Sequence, residues 1–270
     1  VQTSNVGTDT TPVLGGVGQT LAVASAKGGV GKSTVSVNLA LALAADGLRV
    51  GLLDADLYGP SIPLMLGVRR EPATGADGRL LPVMHQGLAL MSMGFLTDRQ
   101  APVIWRGPLL AQALQQFLRQ VDWGRLDLLL VDLPPGTGDI PLSLCQAVPL
   151  AGAVMVTTPQ DVALQDVERG IALFDKVEVD ILGIIENMSY YLCPHCQTRH
   201  EVFGHGGGRD AAVRLGLPFL GELPLDAAVR RGGDEGQPVV ATAPASSSAR
   251  SFADLAQALL IQLRRDTQVS

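Results

Sequence analysis

Cysteine is scarce in this 270-residue chain, with three residues, two of them in one CxxC. That is too few for a disulfide framework and suits a reducing compartment, so a cytoplasmic location is expected. An excess of positive charge is also missing. With 20 Lys and Arg against 26 Asp and Glu the formal charge is −6, which argues against a protein whose main work is gripping nucleic acid. No apolar run approaches the ~20 residues of a membrane span. No basic region followed by an apolar stretch marks a secretory signal. Neither nucleic acid nor membrane is therefore expected as a partner. What is present is a composition of 47% hydrophobic and 17% charged residues, that of a folded rather than a disordered chain. The length suffices for one large α/β domain with a sizeable core.

Residues 1–19 show neither helical nor strand period and read as a linker, 20–265 as one domain and 266–270 as a tail. The run Thr20 to Ser25 (TLAVAS) predicts a buried strand, and Ser33 to Ala45 a helix closed by Asp46-Gly47. Arg49 to Asp54 (RVGLLD) predicts a second strand ending in a carboxylate. Leu57 to Pro82, with several Pro and Gly, reads mostly as loop, and Arg79 to Met93 as two short strands around Gln86-Gly87. Pro108 to Val121 has a helical apolar face at Leu109, Leu110, Ala113, Leu114, Phe117 and Leu118. Leu126 to Asp132 (LDLLLVD) is the strongest buried-strand signal in the chain. Further strands are predicted at Ala153–Thr157, Ile181–Glu186 and Pro218–Leu223, with helices at Val162–Lys176 and Ser248–Leu263. The last helix has an apolar stripe (Phe252, Leu255, Ala256, Leu259, Leu260, Leu263) and few basic residues, which predicts packing on the core. Near-continuous apolar strands alternating with helices imply a three-layer α/β fold: a mostly parallel central sheet covered on both faces. A short insertion is expected near residues 189–208.

Between the first strand and the first helix stands Lys27-Gly28-Gly29-Val30-Gly31-Lys32-Ser33-Thr34. Glycines there let backbone N–H groups approach phosphate oxygens, and the helix N-terminus adds a favourable dipole. Lys32 is placed to reach the β- and γ-phosphates, and the Ser33 hydroxyl to ligate Mg²⁺. The standard pattern GxxxxGKS/T needs glycine at position 26, where this chain has Ala26, followed by Lys27. The form KGGVGKS resembles the deviant Walker A of the family that includes MinD, ParA, the nitrogenase iron protein and Mrp/ApbC.

That resemblance implies a P-loop NTPase fold, an ATPase that is Mg²⁺-dependent and slow, and a nucleotide-sandwich homodimer in which Lys27 reaches the partner's nucleotide. Asp56, of Asp54-Ala55-Asp56, is then expected to orient or deprotonate the attacking water, with Asp54 supporting the Mg²⁺ shell. Asp132 matches the Walker B carboxylate that holds Mg²⁺ through water. In the adjoining Pro134–Asp139 loop (PPGTGD), the Gly136 N–H is expected to sense the γ-phosphate. Asn187 and the segment Pro224-Leu225-Asp226 match base-binding positions, and each is equally compatible with turn chemistry. ATP rather than GTP follows from the resemblance and from the lack of an NKxD tetrapeptide.

Cys193-Pro194-His195-Cys196 lies apart from these motifs. Thiolates at this spacing bind metal or undergo redox change, and a thioredoxin-type junction in a small βαβ domain does not match the context. One reading is a zinc site from Cys193, Cys196, His200 and His205, although the ~12-residue gap of a zinc finger is absent. Another starts from the four thiolates of an iron–sulfur cluster: one CxxC supplies two, so two subunits about a two-fold axis supply four. Cys145, between Leu144 and Ala147 in an apolar stretch, reads as a buried core thiol.

The CPHC segment stands together with Phe203-Gly204-His205-Gly206-Gly207-Gly208, Asp56-Leu57-Tyr58-Gly59-Pro60-Ser61 and Trp105-Arg106-Gly107-Pro108. In this combination the chain resembles the Mrp/ApbC iron–sulfur carriers from about residue 20 to 265. The resemblance implies a homodimer that binds a 4Fe–4S cluster through Cys193 and Cys196 of each chain. It also implies a cluster donor and apo-protein clients that receive the cluster. The competing expectations are a MinD- or ParA-like positioning ATPase and a P-loop ATPase with structural zinc at the CPHC segment, zinc being an occupant of empty thiolate sites in aerobic preparations.

Overall fold

The computed structural model describes residues 14–95 and 107–269, with side chains at 14–95, 109–160 and 166–265. Trp105 and Arg106 of the motif quoted above lie outside the described residues. In chain order the strands are β1 (Val17–Ala24), β2 (Val50–Asp54), β3 (Ala73–Thr74), β4 (Leu80–Leu81), β5 (Val83–His85), β6 (Leu88–Ser92), β7 (Leu126–Asp132), β8 (Gly152–Thr157), β9 (Ile181–Leu192), β10 (Arg199–His200) and β11 (Phe219–Pro224). The helices are α1 (Lys32–Ala45), α2 (Ile62–Met65), α3 (Gly107–Gln120), α4 (Asp139–Ala147), α5 (Asp161–Asp175), α6 (Gly207–Leu215), α7 (Ala227–Glu235), α8 (Val239–Thr242) and α9 (Ser247–Val269).

The main sheet runs β11-β9-β8-β1-β7-β2-β6-β5, with β10 paired to the far end of β9, and every pairing is parallel except the β5–β6 and β9–β10 hairpins. Its central strands are apolar on both faces because both are covered. Leu21 and Val23 of β1, with Leu128 and Leu130 of β7, pack under α1 and α9; Ala22, Ala24, Leu129 and Val131 face the opposite core with α3, α4 and α5. Alternate residues thus serve alternate cores, as the two-residue period of a strand requires. The α9 stripe Phe252, Leu255, Ala256, Leu259 and Leu263 is buried in the first of these cores, as expected from its scarcity of basic residues. Among the described residues no helix is long and apolar enough to cross a membrane.

The predicted strands and helices appear within a few residues, and Gln86-Gly87 makes the hairpin turn with φ of 48° and 80°. Strand β1 starts at Val17, earlier than its apolar run, because Val17 and Gln19 pair with Leu126 and Leu128 of β7. Of the apolar face predicted for α3, Leu109 is exposed. Five of the described helices are not predicted: α2 and α8 are four residues long, and α4, α6 and α7 carry no apolar periodicity strong enough to read. Helix α4 begins inside the segment read as a switch loop, whereas α6 and α7 hold glycine pairs that lower helix propensity. A tertiary anchor stabilises α6, where buried Glu186 accepts from the Gly206 and Gly208 amides, and a local one stabilises α7, whose N-cap Asp226 accepts from the Ala228 amide. Strand β9 continues six residues past its predicted end at Glu186, so the segment near 189–208 begins as an extension of the sheet.

Leu130 is fully buried at the middle of β7, between Leu21 of β1 and Leu52 of β2. Leu130→Ala is expected to lower stability by about 2–5 kcal/mol, measured by urea unfolding. A loss under about 1 kcal/mol would contradict the central packing described for this strand.

Candidate functional site

Parallel pairing aligns the carboxyl ends of β1, β7 and β2, and register sets Val23 and Asp54 opposite Asp132 on its two sides. The loop after β1 therefore passes directly beside two buried carboxylates, the ordinary ligand position of a parallel sheet. Its glycines permit the path: Gly29 and Gly31 have φ of 84° and 81°, in the left-handed region. Gly31 also starts α1 without a side-chain cap, which leaves the first amides of the helix to an anion.

Lys32 is buried, with its ammonium 2.7 Å from Asp132 Oδ2. Ser33 Oγ donates to the same oxygen at 2.7 Å, and Ser36 Oγ donates to Oδ1 at 2.5 Å. Asp132 is thus held on both oxygens by one turn of α1. Asp54, fully buried beside it, accepts from the Asp56 amide on Oδ1, and from the Ile62 amide and Ser92 Oγ on Oδ2, each at 3.2 Å. Burial first, and the neighbouring Asp132 charge second, push the Asp54 carboxyl up to about 7. Ser36 and Ser92 have no signal in the sequence motif. Ser36 could have been found one helical turn beyond Ser33, whereas Ser92 enters only through the β2–β6 register.

In front of these carboxylates lies a cleft of about 590 Å³. It is lined by Gly28, Gly29, Gly31, Lys32, Ser33, Thr34, Asp56 and Pro135, and by Asn187, Pro224, Leu225 and Asp226. The structure thus gathers most of the residues predicted to touch nucleotide, while the Val30 side chain turns into the core. Lys27 is exposed at the loop's tip, and its carbonyl accepts from Ser25 Oγ at 3.0 Å. Two amides, of Tyr58 and Gly59, donate to Asp56 Oδ1 at 3.2 and 3.1 Å and fix that carboxylate at the rim. The Gly136 N–H donates to Ser25 O at 2.9 Å, so it is engaged within the loop and Pro135 meets the cleft in its place. Asp226 accepts from the Ala228 amide at 2.7 Å and from Ser248 Oγ; Asn187 Nδ2 donates to Val30 O at 2.8 Å.

The cysteine pair sits at the tip of the β9–β10 hairpin. Cys193 N donates to Thr198 O at 3.0 Å and Gln197 N to Cys193 O at 2.9 Å, closing a turn in which Cys193 is half-buried and Cys196 exposed. Cys196 Sγ donates to Thr198 Oγ1 at 3.1 Å, and hydrogen bonding with the Thr198 side chain, then with its backbone, then with Cys193 holds the Cys196 thiol below its ordinary range. Cys145 is the reverse case: buried in the core, its thiol is pushed up to about 12 by burial.

The four-residue zinc set is not assembled. His205 lies 3.2 Å from Ser189 Oγ and 2.8 Å from Arg199 Nη2, and His200 stands against the Tyr191 ring. Among the described residues the group of three or more ligand side chains close enough to share a metal is Glu186, His205 and Glu222, which includes neither cysteine. The Arg199 guanidinium occupies this acidic place, 3.0 Å from Glu222 Oε1. Burial opposes ionisation of Glu222, but Arg199, Ser189 and His205 outweigh it and hold the carboxyl below its usual range. The Phe203–Gly208 motif (FGHGGG) thus fastens α6 and the hairpin base to β9. No sequence pattern pointed to Glu186, Ser189, Arg199 or Glu222.

Fold and cleft define the class: a P-loop NTPase with a deviant Walker A. The chain belongs to the family described as NUBPL iron-transfer P-loop NTPase, whose model matches residues 16–260. It is 50% identical to the iron-sulfur cluster transfer protein NUBPL of Dictyostelium discoideum, over 92% of this chain and 77% of that protein. It is 48% identical to the iron-sulfur cluster carrier protein of Escherichia coli, over 93% of this chain and 69% of that one. A nucleotide-binding protein of Archaeoglobus fulgidus, solved in complex with ADP and with cobalt, superimposes with a TM-score of 0.75. It shares 39% identity over 87% of this chain and 92% of its own.

Asp54 keeps its proton to about pH 7 in the fold but releases it near pH ~4 in the unfolded chain. Its contribution to stability is therefore complete below about pH 4 and is lost as pH rises through 7. Urea unfolding at about pH 5 and pH 8 should show the wild type losing about 2 kcal/mol more than Asp54→Ala across that interval. Equal losses would contradict a protonated Asp54.

Proposed function

We propose that this chain is an ATP-binding and hydrolysing homodimeric carrier that holds a 4Fe–4S cluster between two copies and passes it to apo-proteins. The carrying observation is that one chain holds a phosphate cleft and, on an exposed hairpin, two adjacent thiols with no third ligand gathered among the described residues. Four thiolates hold such a cluster, so two hairpins related by a two-fold axis complete one site. The names of the Dictyostelium and Escherichia coli relatives, a cluster transfer protein and a cluster carrier, support the same cargo.

At the nucleotide, the amides of residues 28–34 surround the phosphates and Lys32 turns from Asp132 toward the β- and γ-phosphates. The hard oxygens of Ser33 and Asp132, with Asp54 behind them, are the donor set that suits Mg²⁺, which supplies charge neutralisation between the phosphates when bound. The Tyr58 and Gly59 amides bond Asp56 Oδ1, which orients Oδ2 to accept a proton from the attacking water. Pro224 and Asp226 form the wall on the base side. Lys27, exposed at the mouth, extends to the partner's nucleotide. Cargo transfer is ligand exchange: each bond from iron to Cys193 or Cys196 is replaced by one to a client thiolate, with no net redox change. A cluster donor loads the carrier by the reverse exchange.

After anaerobic reconstitution, Cys193→Ala and Cys196→Ala should each lose the absorbance near ~400 nm and the bound iron. Retention of both in either variant would contradict the bridging site. Asp56→Ala should bind ATP with unchanged affinity while turnover falls by about 10²-fold or more. Wild-type turnover in that variant would remove Asp56 from the chemistry.

A further inference from the structure

The side chain of Asn187 is committed to the P-loop. It is buried, and its Nδ2 donates to the Val30 carbonyl at 2.8 Å. That carbonyl and the Gly31 N–H belong to one planar trans peptide and point in opposite directions. Holding the carbonyl therefore fixes the direction of the Gly31 N–H, one of the loop amides available to phosphate. The fit is close: a Cβ on Gly31 would stand 2.3 Å from Asn187 Nδ2.

Asn187 also belongs to the strand that carries the thiols. Met188, the next residue, has a φ of 56°, a left-handed conformation that a non-glycine residue adopts at a cost. Both residues line the cleft. Ser189 is then fully buried and donates to Glu186 Oε1 at 2.6 Å, and the Tyr190 carbonyl accepts from Leu225, another cleft residue. Strand β9 ends at Leu192, next to Cys193. Asn187 and Cys193 are thus joined by one short stretch of strand, bent at Met188 where the register with β11 shifts, and pinned at its base by buried side chains.

We propose that Asn187 is a positioning residue that sets the Gly31 amide for phosphate and, through β9, ties phosphate occupancy to the placement of Cys193 and Cys196. This rests on the nucleotide and cluster reading above and supplies its coupling element. It differs from a base-contact role, because a residue acting on a phosphate amide is indifferent to the base.

The test compares full-length wild type, Asn187→Ala and the isosteric Asn187→Asp, cluster-free and anaerobic. Affinities are measured for ATP and for inosine triphosphate, which differs from it at the base edge. Alkylation rates of Cys193 and Cys196 by iodoacetamide are followed by peptide mass spectrometry, with and without saturating Mg²⁺ and ATP. The wild type should show a nucleotide-dependent alkylation rate. Both variants should bind the two nucleotides more weakly by the same factor, about five- to tenfold, and lose that rate difference at saturation. A loss confined to ATP would assign Asn187 to the base and overturn the proposal, as would unchanged affinity for both nucleotides. A rate difference that survives in both variants, or wild-type thiols indifferent to nucleotide, would overturn the coupling. Wild type that binds no ATP or takes up no cluster would instead remove the underlying reading, a distinguishable failure. Should Asn187→Ala not fold, Asn187→Asp preserves the side-chain shape and carries the comparison.

Discussion

Lys32 and Asp132 form an ion pair in a place where neither charge has water: the carboxylate is fully buried and the ammonium nearly so, 2.7 Å apart. Such a pair survives only when its remaining hydrogen-bonding capacity is met, and here Ser33 and Ser36 meet it from α1. The parallel sheet has apolar cores on both faces, so the carboxyl ends of β2 and β7 are where this polar group fits. Asp54 sits in register beside Asp132; its burial first, and the adjacent Asp132 charge second, are why it holds its proton toward neutral pH. The P-loop, the neighbouring acids and the cleft follow from that arrangement.

Much of this was legible because it is local. KGGVGKS sits between an apolar strand and a helix, and strand-end acids at Asp54 and Asp132 follow from runs such as LDLLLVD. Each needs only a window of a dozen residues. What stayed hidden depends on contacts across the fold. Ser92 reaches Asp54 because β6 pairs with β2. Glu186 fixes the FGHGGG segment, and Arg199 rather than a metal fills the acidic place beside His205. The tetrad Cys193, Cys196, His200 and His205 is close in sequence, but the hairpin sends the thiols to its tip and His205 to its base. Helices α6 and α7 were invisible because glycines depress their propensity; a distant acid, Glu186, restores the start of α6, while α7 has only its own N-cap, Asp226. For Asn187 and Gly136 the sequence pointed to the right neighbourhood; the structure adds that each is engaged by the P-loop or its approach, at Val30 and Ser25.

The two working ends of the molecule share one strand. Asn187 and Met188 of β9 meet the cleft, and the same strand delivers Cys193 to the hairpin. A thiol pair at an exposed tip is incomplete as a cluster site and fit for exchange, whereas a buried thiol such as Cys145 is neither. In the proposed reading a second copy is called for twice, by the lysine at the mouth of the nucleotide loop and by the count of thiolates. The description of the family, an iron-transfer P-loop NTPase, agrees with the proposed cargo.

The claim at the centre of the account is a cluster shared by two chains. Native mass spectrometry of the anaerobically reconstituted protein tests it directly. The predicted species is a dimer carrying about four iron and four sulfide in total. A monomer that retains a complete cluster, or a dimer with one cluster per chain, would contradict it.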